Sequence, residues 1–242
     1  MKEVRFFYDS EMNGCLPEDE AKHAVRVLRL AIGDEIHLMD GRGTFYRARI
    51  TSASNHKCCY QVIETHPQLP DWMGHLHLAM APTKLNDRVE WFAEKATEIG
   101  FDELSFLDCQ FSERKGIKTD RIDRILISAM KQSHKAVKPT LNEMCSFRKF
   151  VESERSGDKF ICHCYNQDDV QSGTDKPNLL DVIRPGEATT VLVGPEGDFS
   201  LEEVRLALQN GYRSVSLGRS RLRTETAALV AVHLMQIKNQ RR

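Results

Sequence analysis

Two glycine-containing loops near the C-terminal end of this 242-residue sequence hold the residue types that could bind a ligand and do chemistry. The first follows the apolar stretch 191–193 and reads GPEGDFS, and the second follows 215–217 and reads GRSRLRTETA. Glycine allows a backbone to approach a ligand closely. A phosphate-binding loop would surround the anion with backbone amides and a lysine, whereas the carboxylates of Glu196 and Asp198 would repel it. The residues therefore favour an uncharged or cationic ligand, and a strand-to-helix turn with a good helix cap is the alternative.

The elements that would position these loops alternate between strand and helix from residue 72 onward. The pattern predicts strands at 75–80, 103–107, 160–164, 190–193 and 214–217. It predicts helices at 88–99, at 121–130, after Ser200, which forms a capping box with Glu203, and after Thr224 as the cap residue. Such alternation indicates an α/β fold with a mostly parallel sheet and helices on both faces. Ligands of such sheets bind beyond the carboxyl ends of the strands, where both loops lie.

The first 65 residues have a different pattern. One helix begins near Pro17, and short strands are predicted at 4–8, 35–39, 44–50 and 58–63. Short strands at regular spacing with a single helix suggest a small β-barrel. Residues 65–71 contain two prolines and are interpreted as a linker. The sequence therefore predicts two domains, 1–70 and 71–242.

The charge distribution is uneven, although the net charge is only −1. Residues 112–138 contain eight lysines and arginines but three acidic residues, and further arginines follow from Arg213 onward. Clustered basic residues are typical of surfaces that bind RNA. A solvated helix face explains the first cluster equally well.

Cysteine usage and hydropathy bear on metal binding and compartment. The seven cysteines are scattered, and disulfide frameworks are typical of short secreted chains, so no disulfide is expected. Cys162 and Cys164 flank a histidine without a second ligand pair at zinc-finger spacing; we expect no metal, and interpret both side chains as one face of a buried strand. No apolar run reaches the roughly 18 residues of a membrane span, and the N-terminal residues form no apolar signal segment, which predicts a cytoplasmic protein without a membrane partner.

Several motifs along the chain resemble, in the same order, those of the RsmE family of ribosomal-RNA uridine-N3 methyltransferases in the SPOUT superfamily. The two loops contribute GPEGDFS and, after Leu217 and Gly218, LRTETA. Further matches are HAVRVLR at 23–29, KLNDR at 84–88, KATEIG at 95–100, Ser112-Glu-Arg114 and Gln132-Ser133. Each motif alone is weak, whereas together they extend over nearly the whole chain.

This resemblance implies a PUA-like RNA-binding domain at the N-terminus and an α/β SPOUT domain with a deep trefoil knot. It implies a homodimer and S-adenosyl-L-methionine as the cofactor, which carries a sulfonium cation and no phosphate. The implied reaction is methylation of N3 of a specific uridine in the 16S rRNA of the small ribosomal subunit, in the decoding region. Carried over by position, the cofactor-binding residues are Leu192, Val193, Gly194, Pro195, Gly197, Leu217, Gly218, Leu222, Thr226 and Ala227.

Methylation of uridine N3 requires loss of the N3 proton, and the negative charge then spreads onto O2 and O4. Arg223 is predicted to stabilise that charge. Glu225 or Glu196 is predicted to accept the proton, and capping or pairing with arginine is the alternative role of both glutamates.

RNA contacts are predicted for a set of basic side chains: His23, Arg26, Arg29, Arg114, Lys84 and Arg88. The first three are spaced three apart on a predicted helix and would share one face. A solvated amphipathic helix is the alternative interpretation of this spacing.

The sequence departs from the family pattern at four positions. Asp198 stands where a glycine is usual, and Lys131 stands where an acid is usual before Gln132. Ser220 and Arg221 stand where the family has a basic and then an apolar residue. These differences bear on the shapes of the two glycine-containing loops. The one at Lys131 also bears on any catalytic role of an acid at that position.

Two other functions fit parts of the pattern. A SPOUT enzyme could act on another nucleotide, such as a tRNA ribose, although the N-terminal domain and the motif at 23–29 argue against this. A non-catalytic RNA-binding protein of ribosome assembly is the second alternative, and binding of S-adenosylmethionine would distinguish an enzyme from it.

Overall fold

The computed structural model describes residues 6–54, 56–166, 170 and 176–241. Contacts between residues divide the chain into two compact units. The first extends to Pro70 and includes Leu126–Lys138, and the second contains Asp71–Ile125 and continues from Pro139. Each unit is built around its own sheet.

The first unit holds a sheet and a short helix. Across the sheet the strands lie in the order β1 (Phe6–Tyr8), β2 (Glu35–Met39), β3 (Thr44–Ala53) and β4 (Cys58–Pro67). β1 and β2 are parallel, and the other neighbours are antiparallel. The helix α1 (Glu18–Lys22) continues as a π-helical turn (His23–Val27). Acidic residues fill the first turn of α1, where the helix dipole favours negative charge.

The core of this unit follows from the alternation of its strands. Ile36 and Leu38 of β2 and Ala48 and Ile50 of β3 are buried at every second position. This is the pattern of strands with one covered face. Ala21 of α1 packs in the same cluster, so the helix covers that face.

Two contacts tie the segment before α1 to β4. The Tyr60 hydroxyl donates to Asp9 Oδ2 at 2.6 Å, and burial together with this carboxylate raises the pKa of Tyr60 above its usual value. Cys15 and Cys59 form a disulfide. This bond contradicts the expectation drawn from the scattered cysteines. The two partners are 44 residues apart in sequence, and only the pairing of this segment with β4 brings them together.

The second unit holds a larger sheet in which every pair of neighbouring described strands is parallel. Its strands are β5 (Leu76–Met80), β6 (Glu103–Asp108), β7 (Thr140–Leu141), β8 (Cys145–Ser146), β9 (Asp158–Cys162), β10 (Thr189–Val193) and β11 (Arg213–Val215). Their order is β11-β9-β10-β5-β6-β7, and β8 also pairs with β6. The predicted α/β fold with a mostly parallel sheet is confirmed.

Helices cover both faces of this sheet. After residue 71 they are α2 (Asn86–Ile99), α3 (Thr119–Gln132), α4 (Phe147–Glu152), α5 (Leu179–Val182), α6 (Leu201–Gln209) and α7 (Thr224–Asn239). α7 packs on β5, β10 and α2. On the opposite face, Leu192 and Ile161 join an apolar cluster with Phe150 of α4 and Val204 of α6. None of the helices in the described ranges combines the length and apolar character that crossing a membrane requires.

Burial explains why apolar residues predominate in the central strands. β5 and β10 are buried along their whole length. Strands covered on both faces have no solvent side on which polar residues would alternate.

Several boundaries differ from the predicted ones. β4 extends to Pro67, so the start of the predicted linker 65–71 is a strand. β9 ends at Cys162, and Cys164 therefore lies beyond the strand whose face the two cysteines were predicted to share. The polar segment 166–187, whose Asp, Pro and Gly content predicts a loop, contains α5. Within that loop, residues 167–169 and 171–175 lie outside the described residues, as do residues 4 and 5 of the first predicted strand.

The last two helices begin in different ways. Ser200 Oγ accepts from the Glu203 amide while the Glu203 carboxylate accepts from the Ser200 amide, which confirms the predicted capping box. Thr224 was predicted as a cap and is instead the first residue of α7, with no side-chain cap at this end. The prediction is wrong because Arg223, with φ −72° and ψ 158°, is the last extended residue.

Gly100 ends α2 in a conformation that glycine adopts far more readily than other residues. Its φ is 109°, and a Cβ at this position would lie 2.3 Å from the Trp72 ring. Trp72 is buried, and its Nε1 donates to Asp102 at 2.9 Å. A side chain at residue 100 must therefore displace this indole.

We expect Gly100→Ala to lower the free energy of unfolding by about 2–4 kcal/mol, because backbone strain and overpacking add. Urea or thermal unfolding measures the loss. Gly116→Ala is the matched control, since a Cβ there meets nothing within 4 Å. Equal stability of the two variants would contradict the packing of Trp72 against residue 100.

Candidate functional site

The carboxyl ends of four strands lie at one level in the second unit. Val193 of β10 pairs with Met80 of β5 and with Cys162 of β9, which in turn pairs with Val215 of β11. The segments that follow these strands, 81–85, 163–165, 194–200 and 216–223, therefore leave the sheet at the same edge. Both predicted ligand loops are among them.

The loop 194–200 needs its glycines for close packing. A Cβ on Gly194 would lie 3.0 Å from the Phe199 amide nitrogen, and one on Gly197 would lie 3.1 Å from Phe111 Cβ. Neither glycine has a positive φ, so their small size matters more than their conformational freedom. The loop is thus held in one shape by contacts that larger residues would not permit.

Asp198 explains one departure from the family pattern. Its φ is 66°, a left-handed conformation that aspartate adopts more readily than most residues. Its Oδ2 accepts from the Cys164 amide at 2.7 Å, and its Oδ1 accepts from the Phe199 amide at 2.8 Å. The carboxylate that replaces glycine therefore joins the loop after β9 to the loop after β10.

Glu196, predicted as a proton acceptor or anchor, has a contact with another loop. Its Oε1 accepts from the backbone amide of Lys84 at 2.9 Å. The Lys84 ammonium, predicted to contact RNA, lies 2.7 Å from Glu113 Oε2. One carboxylate oxygen of Glu196 is therefore engaged in holding segment 81–85.

Arg114 also contacts this segment. Its Nε donates to the Thr83 carbonyl at 3.0 Å, and its Nη2 donates to the Lys84 carbonyl. Arg114 is only partly exposed, whereas Lys84 is exposed. The predicted RNA-binding arginine thus has backbone partners inside the protein.

The second loop, 216–223, opens toward solvent around Gly218. Ser216 Oγ accepts from the Gly218 amide and donates to its carbonyl, both at 3.1 Å. The φ of Gly218 is 120°, and a Cβ built there would meet nothing within 4 Å. Leu217 and Leu222 are partly exposed on either side. The backbone at this point is free for a ligand to approach.

Arg223 and Glu225 end this loop and begin α7. Arg223 is exposed, and its guanidinium has no partner among the described residues. The Glu225 side chain is buried, with 7% of the residue exposed. Its Oε1 lies 3.6 Å from Arg88 Nε, and its Oε2 is buried without a hydrogen-bond partner in the described chain. Arg88, predicted to contact RNA, is thus the nearest cation to this carboxylate.

An unpaired oxygen on a buried carboxylate is costly, by about 1–3 kcal/mol. The first turn of α7 offsets part of this cost through the helix dipole. Glu225 Oε2 is nevertheless an acceptor without a donor among the described residues.

The predicted cofactor residues divide into two groups around these loops. Leu192, Val193, Gly194 and Pro195 are buried at the end of β10. The other predicted cofactor residues are exposed or partly exposed: Gly197, Leu217, Gly218, Leu222, Thr226 and Ala227. Thr226 and Ala227 lie in the first turn of α7. The parallel register places both groups at one sheet edge.

His163 is a polar residue of this edge that the sequence did not single out. Its Nε2 lies 2.8 Å from Ser214 Oγ, and its Nδ1 is buried without a partner in the described chain. Burial, and then the nearby Lys176, lower the pKa of His163 to about 4, so the ring is neutral at pH 7. Lys176 Nζ donates to the carbonyls of His163 and Tyr165 at 2.5 and 2.8 Å. The signal that could have identified His163 in the sequence was its position directly after β9.

No metal site accompanies these residues. Within the residues that the structure describes, no group of three or more histidine, cysteine, aspartate or glutamate side chains could hold a metal ion.

The other predicted RNA-binding residues belong to the first unit. His23 and Arg26 are exposed on the π-helical turn. Arg29 is also exposed but lies beyond this turn with φ 56°. The predicted common helix face is therefore wrong for Arg29, because the helix ends before it.

Lys131, the departure from a usual acid, also has a partner in the first unit. Its ammonium contacts Glu20 Oε1, and both side chains are largely buried. A cation at residue 131 is therefore matched by an acid at residue 20.

Two family models match the chain. One, described as an RNA methyltransferase domain, matches residues 70–236. The other, described as an RNA methyltransferase PUA domain, matches residues 16–63.

Known relatives agree with these matches. Ribosomal RNA small subunit methyltransferase E of Bacillus subtilis is 27% identical over 233 residues, which cover 92% of this chain and 89% of that protein. The crystal structure of a probable rRNA-methyltransferase from Porphyromonas gingivalis is 40% identical with a TM-score of 0.88, covering 97% of this chain and 99% of the other. That of ribosomal RNA small subunit methyltransferase E from Neisseria gonorrhoeae, bound to S-adenosyl methionine, is 26% identical with a TM-score of 0.84, covering 97% and 98%. The protein therefore belongs to the RsmE family of RNA methyltransferases and carries that family's PUA domain in its N-terminal part.

Proposed function

We propose that this protein transfers a methyl group from S-adenosyl-L-methionine to N3 of a specific uridine in the decoding region of 16S rRNA. The observation that carries the proposal is the start of α7, where Arg223, without a partner among the described residues, precedes the buried Glu225 by two positions. The names of the Bacillus subtilis and Neisseria gonorrhoeae relatives support a substrate in the small ribosomal subunit.

The two loops fit S-adenosylmethionine in their chemistry. Gly218 offers backbone next to open space, and Leu217 and Leu222 offer partly exposed apolar surface for an adenosine. The nearby carboxylates of Glu196 and Asp198 disfavour a phosphate and tolerate a cation. When bound, the cofactor supplies a methyl group on a positively charged sulfur. The two groups of predicted cofactor residues at this edge would hold it largely through backbone groups.

Methyl transfer from a sulfonium requires mainly an in-line approach of the two reactants, so positioning carries much of the rate. The uridine N3 must also lose its proton. Arg223 is free to donate to uridine O2 or O4 and to stabilise the charge that develops there. Glu225 Oε2, which has no donor in the described part of the chain, is the proposed recipient of the N3 proton. Glu196 is a weaker candidate, because one of its oxygens already holds the Lys84 amide.

We assign RNA phosphate contacts to His23, Arg26 and Arg29 and to the ammonium of Lys84. All four are exposed. Arg88 already pairs with Glu225. We therefore propose that Arg88 acts beside that carboxylate and not at an RNA phosphate.

A homodimer is part of the same proposal. Trp91 of α2 is 44% exposed and Ile237 of α7 is 45% exposed. Val230 and Leu234, about two turns and one turn before Ile237, are partly exposed as well. Large apolar side chains on two neighbouring helices are typical of an interface. The solution mass distinguishes such a dimer from a monomer.

The trefoil knot, the domain ranges 1–70 and 71–242 and a cytoplasmic location complete the proposal. They follow from the family resemblance and from a substrate in the ribosome. A non-catalytic role in ribosome assembly is the competing function. Calorimetric titration with S-adenosylmethionine separates the two, since an assembly factor has no need to bind it.

Arg223→Ala should lower the single-turnover rate of methyl transfer about 100- to 1,000-fold, because one donor to a developing oxyanion is lost. The affinity for S-adenosylmethionine should change less than twofold. Arg219→Ala, a neighbouring exposed arginine, is the control and should retain the rate. An unchanged rate in Arg223→Ala with cofactor bound would exclude this assignment.

Glu225→Gln should lower the rate about 100-fold or more, since the amide is similar in size but cannot accept the proton. Cofactor affinity and thermal stability of the variant show whether the fold persists. Full activity of Glu225→Gln would reassign the proton acceptor.

At Glu196 we expect the amide to preserve function: Glu196→Gln should lose less activity than Glu196→Ala, because its amide oxygen can still accept from the Lys84 amide.

Arg26→Ala should make the affinity for rRNA less dependent on salt. Each phosphate contact contributes roughly 0.7–0.9 to the slope of log K against log salt, and the variant should lose about one such contact. Lys57→Ala, another exposed cation of the first unit, is the control. A slope equal to that of the natural protein would remove Arg26 from the RNA interface.

A further inference from the structure

Three loops of the second unit are tied together near the proposed cofactor site: 81–85 after β5, 109–114 after β6 and 194–200 after β10. The first and third are joined by the hydrogen bond from the Lys84 amide to Glu196 Oε1 at 2.9 Å. Both of these loops also contact the second one. The contacts of loop 109–114 thus bear on the shape of the whole edge.

Loop 109–114 packs against the loop after β10. Phe111 leaves no room for a Cβ on Gly197, which would lie 3.1 Å from its Cβ. The Gln110 amide donates to Glu203 Oε1 at 2.8 Å, the carboxylate that also caps α6. Ser112 is buried, and its Oγ accepts from the Cys109 amide at 3.0 Å. This loop is therefore itself fixed in place.

Arg114 carries the contact from this fixed loop to segment 81–85. Two of its nitrogens donate to two consecutive carbonyls, those of Thr83 and Lys84. The planar guanidinium fork suits such paired acceptors. Thr83 is fully buried, and its Oγ1 donates to the Leu85 carbonyl at 2.8 Å. Arg114 thus binds the backbone of a turn that is already closed by its own hydrogen bond.

We propose that Arg114 is a positioning residue of the methyltransferase site and not an RNA contact. It holds segment 81–85, which in turn holds Glu196 and with it the loop 194–200. The inference rests on the proposed function, because loop 194–200 is taken to bind S-adenosylmethionine. It reassigns a residue whose charge and position within a basic cluster favour RNA binding.

The surroundings of Arg114 support this assignment over phosphate binding. Its side chain is only partly exposed, and two of its donor groups already have backbone partners. Its neighbour Lys115 is exposed, pairs with Asp108 at 2.6 Å and donates to the Cys109 carbonyl at 3.2 Å. A phosphate contact by Arg114 would break hydrogen bonds that the loop needs, whereas the exposed Lys118 has no side-chain partner among the described residues and can meet a phosphate at no such cost.

The test compares Arg114→Ala, Arg114→Lys and the control Lys118→Ala, a nearby exposed lysine, in the full chain. Two quantities are measured: calorimetric affinity for S-adenosylmethionine, and affinity for naked 16S rRNA with its salt slope. The positioning role predicts cofactor binding about tenfold weaker or more in Arg114→Ala, an intermediate loss in Arg114→Lys, and an unchanged salt slope. Lys118→Ala should bind the cofactor as the natural protein does.

The opposite pattern would overturn the proposal. Unchanged cofactor affinity in Arg114→Ala refutes positioning, and a salt slope reduced by about one would identify Arg114 as an RNA contact instead. Failure of the natural protein to bind S-adenosylmethionine would refute the proposed function itself, which is a separate result.

A double-mutant cycle covers the case in which Arg114→Ala folds poorly. Arg114→Lys and Glu196→Ala act on the same segment from two sides, so their effects on cofactor affinity should be strongly non-additive. Additive effects would mean that the two residues act independently. Additivity would therefore contradict the proposed chain of contacts.

Discussion

The parallel register of β10 against β5 and β9 is the constraint on which the rest of the site depends. Because of this register, the three strands end at one level, at Val193, Met80 and Cys162, and the loops that follow lie close together. Side chains of the loop after β10 bind the backbone of the neighbouring loops. Asp198 accepts from the Cys164 amide, and Glu196 accepts from the Lys84 amide. The acidic residues that were interpreted as features of a ligand site therefore also join the loops to one another.

Charge at the start of α7 is arranged differently. Among the described residues, Arg223 has no partner, and Glu225 is buried with one oxygen 3.6 Å from Arg88 and the other without a partner. A chain that merely needed a stable helix start would gain from a capping residue there, as Ser200 provides for α6. The missing cap and the unpaired oxygen are what one expects where a substrate or a second chain completes the hydrogen bonding.

Much of this architecture could be predicted from the sequence, and the reasons are physical. Fully buried strands such as β5 and β10 read as apolar runs, and the Ser200 capping box has a local signature. Contacts between distant segments have no such signature. The Cys15–Cys59 disulfide and the hold of Arg114 on segment 81–85 depend on pairings that spacing does not reveal. Arg29 was misplaced on a helix face because the helix ends as a π-helical turn before it.

The central claim is that the loops at this sheet edge direct methyl transfer to a uridine base. The most direct measurement supplies S-adenosylmethionine with a tritiated methyl group to small ribosomal subunits and to naked 16S rRNA, and then analyses the labelled nucleosides. We expect the label to be recovered as N3-methyluridine from at least one of the two substrates. Label in a ribose-methylated nucleoside, or no transfer to either substrate by a protein that binds them, would contradict it.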